Sequence, residues 1–426
     1  MDQTPATWQA EHPDGWLIVS VDRLPAWMLG PWGATWVPTP TLCRLAAAGL
    51  VCDRLLVRST DPADTLRELR DGRLPGFEAA AEGRRGPLVA AAARGWQLAV
   101  VTDVPDQCEP LLEPSPGPEV VVVPPGRPRR TAAGGETSRC GRVIAAVEAV
   151  LARGSADLLW CHLGHLGEAW DAPQACREAC FDPDDPPPDD AAVIPDFGVT
   201  AATDPDRVMA ARQVFAGELA HFDDLLGRLL AAAERRWRRF GLLLVGVRGL
   251  PLGLHGRVGV GQPEPAPFAE LMQVPAVIID PAGRQAAQRF GGLTLPADLG
   301  ATVADLIGGV ARPRSPAVDP GAGRSLEKIL AGNPSAWRAG GRDRIFCRSA
   351  GGRAIAVADW SLVESVGGPP RLFAQPDDAF ELADVADRCR EVAAALAACL
   401  DDAASPASGW EKPLPPPLTS APVADR

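Results

Sequence analysis

The sequence predicts an α/β fold: a mostly parallel central sheet flanked by helices, followed by a small C-terminal α+β part. Three observations predict it. Residues 16–22 form an apolar run bounded by Gly15 and Asp22, as a strand buried on both faces requires. Similar runs then alternate with helical patterns along most of the chain, the order that gives parallel sheets covered by helices. At 426 residues the chain can also bury a large core without disulfide or metal staples.

The elements follow in order. Thr39 and Pro40 supply an N-cap and a first-turn proline, Leu42, Leu45 and Ala46 a helical face, and Gly49 a stop. Residues 87–95 read as a helix feeding a strand over 97–103. A helix over 142–153 precedes a strand over 156–163, and the Pro- and Asp-rich segment FDPDDPPPDD (181–190) reads as a loop. Val208, Phe215, Leu219, Phe222, Leu226 and Leu229 recur at spacings of three, four and seven, which predicts a helix over 208–236 packed on the sheet. Strands over 240–247 and 274–280 follow.

Composition excludes several classes. A net charge of −12 and a pI near 5.0 argue against a nucleic-acid or general polyanion binder, which needs a basic face. The basic runs RPRR (127–130) and ERRWRRF (234–240) read as solvated surface. Ala, Arg, Pro and Gly abound, tyrosine is absent, and the only lysines are Lys328 and Lys412, as a GC-rich coding bias would give. No lysine is therefore present in the first two thirds of the chain for a catalytic role. Ten scattered cysteines, with Cys176 and Cys180 lacking a second pair or histidines at zinc-ligand spacing, point to a reduced, cytoplasmic chain. The N-terminus MDQTPATWQAEHPDG shows no signal peptide, and no apolar stretch approaches the roughly 20 residues of a membrane span.

Two long segments carry a resemblance. WLIVSVDRLPAWMLGPWG (16–33) and TPTLCRLAAAGLVCDRLLVRST (39–60) together resemble the sulfatase family: a strand ending in an acidic metal ligand, a "TPnLDrLAaeGv.F" helix, and the nucleophile loop. Residues 87–103 are similar to "LaelLraaGYrtalvTD", 293–308 to "qlvDlaPTLldLaG", 323–332 to "GrSLlpLLrG", and 376–402 to the family's C-terminal segment. The resemblance implies an alkaline-phosphatase-like sandwich. It divides the chain into an N-terminal extension (1–14), a sulfatase-like α/β domain (15–312), a smaller C-terminal part (313–402) and a Pro- and Ser-rich tail (403–426) expected to be disordered.

The same resemblance implies calcium, held by paired Asp after the first strand and by Asp with Asn or His after a later one, and a formylglycine made from Cys or Ser in C/S-x-P-x-R. This chain departs from that pattern. Asp22 matches the first ligand position, but Arg23 follows it. The nucleophile motif aligns with Thr60-Asp61-Pro62-Ala63-Asp64, in which Thr60 replaces the convertible residue and Asp64 the arginine. In the related phosphodiesterase branch a threonine is the nucleophile; the alternative is that Thr60 or Asp61 caps the helix beginning at Pro62. The later metal segment reads VGVRGLPLGLHG (245–256), with Val247 and Arg248 in ligand positions. A hard cation needs several oxygen ligands, and no cofactor is expected here.

Arg23 and Arg248 become candidates for binding a small sulfate or phosphate ester, or one of them closes on Asp22 as an ion pair filling the old site. His162 and His255, in retained "LH" and "LHG" contexts, are either general acids or packed structural histidines. Three readings follow: a sulfatase-like pseudoenzyme with an anion-binding or regulatory role, an atypical sulfuric or phosphoric ester hydrolase using Thr60, or an interaction protein, as a homodimer, with a filled cleft.

Overall fold

In the computed structural model, which describes residues 13–76, 86–112, 117–308, 321–333, 336, 341–402, 413–415 and 418, strand β1 (Gly15–Val21) lies near the middle of an eight-stranded sheet. The strands follow as β2 (Leu50–Leu56), β3 (Leu98–Thr102), β4 (Glu119–Val122), β5 (Leu158–Leu163), β6 (Phe197–Gly198), β7 (Phe240–Gly246), β8 (Arg257–Val258), β9 (Gln273–Ile279) and β10 (Gln288–Thr294). β6 and β8 pair apart from the rest; the large sheet has the order β10-β2-β9-β7-β1-β5-β3-β4. Every neighbouring pair in it is parallel except those that β9 makes with β2 and β7. The sheet is thus mostly parallel, as the strand and helix alternation implies.

All seven residues of β1 are buried, and their alternation feeds two cores. Trp16 and Ile18 face a layer with Trp160 and Val245, covered by α2 (Pro62–Asp71), α3 (Pro87–Ala93) and the helix Pro296–Ile307. Leu17, Val19 and Val21 face the other layer, covered by α1 (Pro40–Ala48), α4 (Arg139–Arg153) and α7 (Pro205–Arg236). Short helices α5 (His165–Glu168) and α6 (Gln174–Glu178) follow β5.

The C-terminal part is an antiparallel meander of β11 (Arg344–Ser349), β12 (Gly352–Val357), β13 (Trp360–Ser365) and β14 (Pro370–Ala374). The helix Arg390–Asp402 seals one face of it with Leu396 and Leu400, and Leu418 joins that cluster. The division at 312/313, most of the N-terminal extension and most of the tail lie outside the described residues. Among those described, no helix is long and apolar enough to cross a membrane.

Two local expectations change. The helix anticipated over 142–153 starts at Arg139, because Ser138 caps it: its hydroxyl accepts from the Gly141 amide at 2.9 Å. Thr39 occupies the N-cap position of α1 but makes no side-chain cap; its hydroxyl accepts from the Gly30 amide. The Asp223 carboxylate of α7 takes the free amides of Thr41 and Leu42 instead, each at 2.8 Å.

Trp16 stands opposite Gly241 in the β1/β7 register, and a Cβ at residue 241 would lie 2.1 Å from its indole. Gly241→Ala is therefore expected to lower unfolding free energy by about 1–3 kcal/mol in a denaturant titration, as overpacking of a rigid core does.

Candidate functional site

Asp22, Arg248 and His162 meet at the carboxyl ends of the three central parallel strands, the end at which open α/β sheets bind ligands. Asp22 follows β1 and is held by its amide on the Leu163 carbonyl. Arg248 follows β7, whose next residue, Val247, is fixed by its amide on Val21 and its carbonyl on the Thr65 hydroxyl. The result is a two-pronged ion pair. Arg248 Nε donates to Asp22 Oδ1 at 2.8 Å and Nη2 to Oδ2 at 3.0 Å, while Nη1 donates to the Thr60 carbonyl at 2.7 Å. Burial alone would raise the Asp22 pKa, but the charge and hydrogen bonds of Arg248, with help from the charge of Arg23, hold it below the usual carboxylate range.

A directional chain of hydrogen bonds backs this pair. Gln107 Nε2 donates to Asp22 Oδ2 at 3.3 Å, so its Oε1 is left to accept from His162 Nε2 at 3.0 Å. His162 Nδ1 is then the acceptor for the Ser20 hydroxyl at 2.9 Å, and Ser20 Oγ accepts from Trp160 Nε1 at 2.9 Å. The register creates the last links, since Ser20 and His162 are partners across β1 and β5. Every donor meets an acceptor only if His162 is neutral, and burial accordingly pushes its pKa down. His162 is a fully buried member of this chain.

Thr60 lies in the same cluster but does not cap α2. Asp61 does, accepting from the Ala63 amide at 2.9 Å, while the Thr60 hydroxyl donates to Glu264 Oε2 at 2.9 Å. Glu264 also accepts from the Ala350 amide in the β11–β12 turn, so the C-terminal sheet closes directly on this site. His255 belongs elsewhere. It stacks on Phe268 with ring centroids 4.0 Å apart, and its nitrogens face Glu270 Oε2 at 3.3 Å and the Glu381 carbonyl at 3.1 Å, in the seam with the C-terminal sheet.

Arg23 is the exception in the cluster. Its backbone is left-handed, with φ of 59°, and it is 8% exposed. Its buried Nε has no hydrogen-bond partner, and among the described residues no ion pair reaches its guanidinium. Burial, then the neighbouring Arg248 charge, lower its pKa to about 10. His165, on α5, is also buried with both ring nitrogens unpartnered and its pKa pushed down to about 4, chiefly by burial.

No protein-family model and no curated protein matches the sequence. Solved structures do match. The phosphonate monoester hydrolase of Agrobacterium radiobacter aligns over 92% of this chain and 94% of its own, with a TM-score of 0.66 and 16% identity. A sulfatase-like protein of Bacteroides thetaiotaomicron aligns over 92% of both chains at 0.64 and 16%, and the phosphonate monoester hydrolase of Silicibacter pomeroyi over 91% and 94% at 0.62 and 16%. The chain has the sulfatase fold.

On this sulfatase fold, the position that the sequence resemblance gives to calcium holds a donor set that does not suit it. Both Asp22 oxygens are taken by Arg248, Val247 is aliphatic, and two guanidinium groups stand where a hard cation needs anionic oxygens. Among the described residues no group of three His, Cys, Asp or Glu side chains could hold a metal ion. Ser20, Gln107, Trp160 and Glu264 were not legible as site residues. Ser20 carried one signal, its place two residues before Asp22 on a buried strand; Gln107 and Glu264 sit in loops without pattern.

Removing either ion-pair partner strands a buried charge. Arg248→Met is expected to cost about 3–5 kcal/mol in urea unfolding, and the double variant Asp22→Leu/Arg248→Met to recover most of that loss. Acid should also destabilise the protein. The folded pKa of His162 is depressed, so stability is full above the unfolded value of about 6.5 and falls as the unfolded chain takes up the proton below it. In unfolding followed from pH 7 to 5, His162→Gln should flatten the slope by at most about 1.4 kcal/mol per pH unit.

Proposed function

We propose that this chain is a non-hydrolytic protein on a sulfatase fold, a pseudoenzyme that binds a small anionic ester rather than cleaving it. The Arg248–Asp22 pair carries the reading. Ester hydrolysis on this scaffold, as the family resemblance implies it, needs a cation to polarise the ester and activate a nucleophile. Here the surviving ligand is neutralised by an arginine that engages both of its oxygens and the Thr60 carbonyl, which leaves calcium no free carboxylate at Asp22. The residue in the nucleophile position is a threonine, which cannot become formylglycine. Ten free cysteines support a reducing, cytoplasmic setting.

One observation favours a second reading, an atypical hydrolase. Thr60 donates its hydroxyl to Glu264 at 2.9 Å, the contact a nucleophile makes with a general base. Without a cation, such a pair would rely on Arg23 to offset charge on the ester.

Turnover decides between them. Purified protein incubated with aryl sulfate, aryl phosphonate monoester and bis-aryl phosphate, with and without calcium or zinc, is expected to release no phenol above the rate of a Thr60→Ala control. Release that the Thr60→Ala change abolishes would establish the hydrolase.

A further inference from the structure

We infer that Arg23 is the contact point of an oxyanion site that selects singly charged tetrahedral anions, such as sulfate monoesters, sulfonates and phosphodiesters, over doubly charged phosphate monoesters. The inference rests on the proposed binding role and names its ligand by charge.

The observations are geometric. Arg23 is more than nine-tenths buried, yet its Nε meets no acceptor and no carboxylate comes within ion-pair distance of its guanidinium among the described residues. A guanidinium carries five donors in a fixed fork and is rarely buried without an acceptor. Its backbone, at φ 59°, is in a region that a bulky side chain occupies only when the surroundings enforce it, and such outliers gather at ligand sites. A Cβ on Gly167 of α5 would lie 3.0 Å from Arg23 Cγ and 3.4 Å from Asp22 Oδ2, so the glycine leaves room for the arginine stem beside Asp22.

The charges around Arg23 set the ligand's charge. Asp22 is matched by Arg248 through two hydrogen bonds, His162 is neutral, and Glu264 holds the Thr60 hydroxyl and the Ala350 amide. These contacts leave the charge of Glu264 itself unmatched, so Asp22, Glu264, Arg23 and Arg248 sum to zero. Among the described residues, Arg23 is the guanidinium of this set without a hydrogen-bonded carboxylate; a ligand of one charge leaves the site at −1 and one of two charges at −2. A second charge on the same ligand would face the carboxylates of Asp22 and Glu264, both close enough to act on Arg23 electrostatically. A phosphate monoester carries that second charge above its second pKa of about 6, and a sulfate monoester never does.

The test uses phenyl sulfate and phenyl phosphate with the full chain, reading binding by calorimetry, thermal shift, and phenol release in the same samples. At pH 8 phenyl sulfate is expected to bind and raise the melting temperature, with phenyl phosphate weaker by about tenfold; at pH 5.5, where the phosphate is mostly singly charged, the gap should close. Arg23→Asn removes the guanidinium while tolerating a left-handed backbone. It should weaken phenyl sulfate binding by about ten- to a hundredfold, the worth of a hydrogen bond to a charged group, and leave the unliganded melting temperature equal or higher. Undiminished binding by a folded Arg23→Asn would overturn the site and leave the proposed binding role standing, whereas no binding of either ester by the native protein would overturn both. Equal affinity for both esters at pH 8 would overturn the charge rule. Phenol release would count against the non-hydrolytic reading alone, since the dependence of binding on Arg23 is measured separately.

Discussion

The buried pair between Asp22 and Arg248 is the constraint to which the rest of this site conforms. Two charges removed from water hold together only when geometry and remaining hydrogen bonds offset their desolvation. Both conditions are met at the junction of β1 and β7, where Arg248 spans Asp22 with two donors and reaches the Thr60 carbonyl with the third. The pair therefore ties the loop before α2 to the centre of the sheet. It stands where the family resemblance puts a cation, and it performs the cation's structural task of bringing these loops together.

The hydrogen-bond chain behind the pair shows how far that constraint reaches. With Asp22 oriented by Arg248, Gln107 turns its amide nitrogen toward the carboxylate, and this fixes His162 as donor at Nε2 and acceptor at Nδ1. Ser20 and Trp160 complete the series deep in the core. Each member has one orientation that satisfies its neighbours, so the network is a fixed dipole array rather than a proton-transfer path. The Thr60–Glu264–Ala350 contacts do the same on the opposite side, joining the C-terminal meander to the sheet.

The fold was largely legible because its signals are local or periodic. The fully buried β1, the proline-initiated α1 and α2, and the apolar stripe of α7 each follow from short-range chemistry. The antiparallel placement of β9 was not legible, since an apolar strand reads alike in either direction. The site was legible in part. Motif positions placed Asp22, Arg248 and Thr60, which do converge, and His255, which instead packs on Phe268 in the seam with the C-terminal sheet. Gln107 and Glu264 reach the site from loops whose course depends on tertiary packing, and no sequence spacing announces them. Asp223, which caps α1 from a helix distant in sequence, was hidden for the same reason.

The central claim is that an arginine–carboxylate pair has taken the cation's place, and calcium titration of the native protein by calorimetry tests it most directly. The account predicts heats of dilution only, because both Asp22 oxygens are engaged by Arg248 and, among the described residues, no group of three His, Cys, Asp or Glu side chains could hold a metal ion. Saturable one-to-one calcium binding that disappears in Asp22→Asn would contradict it.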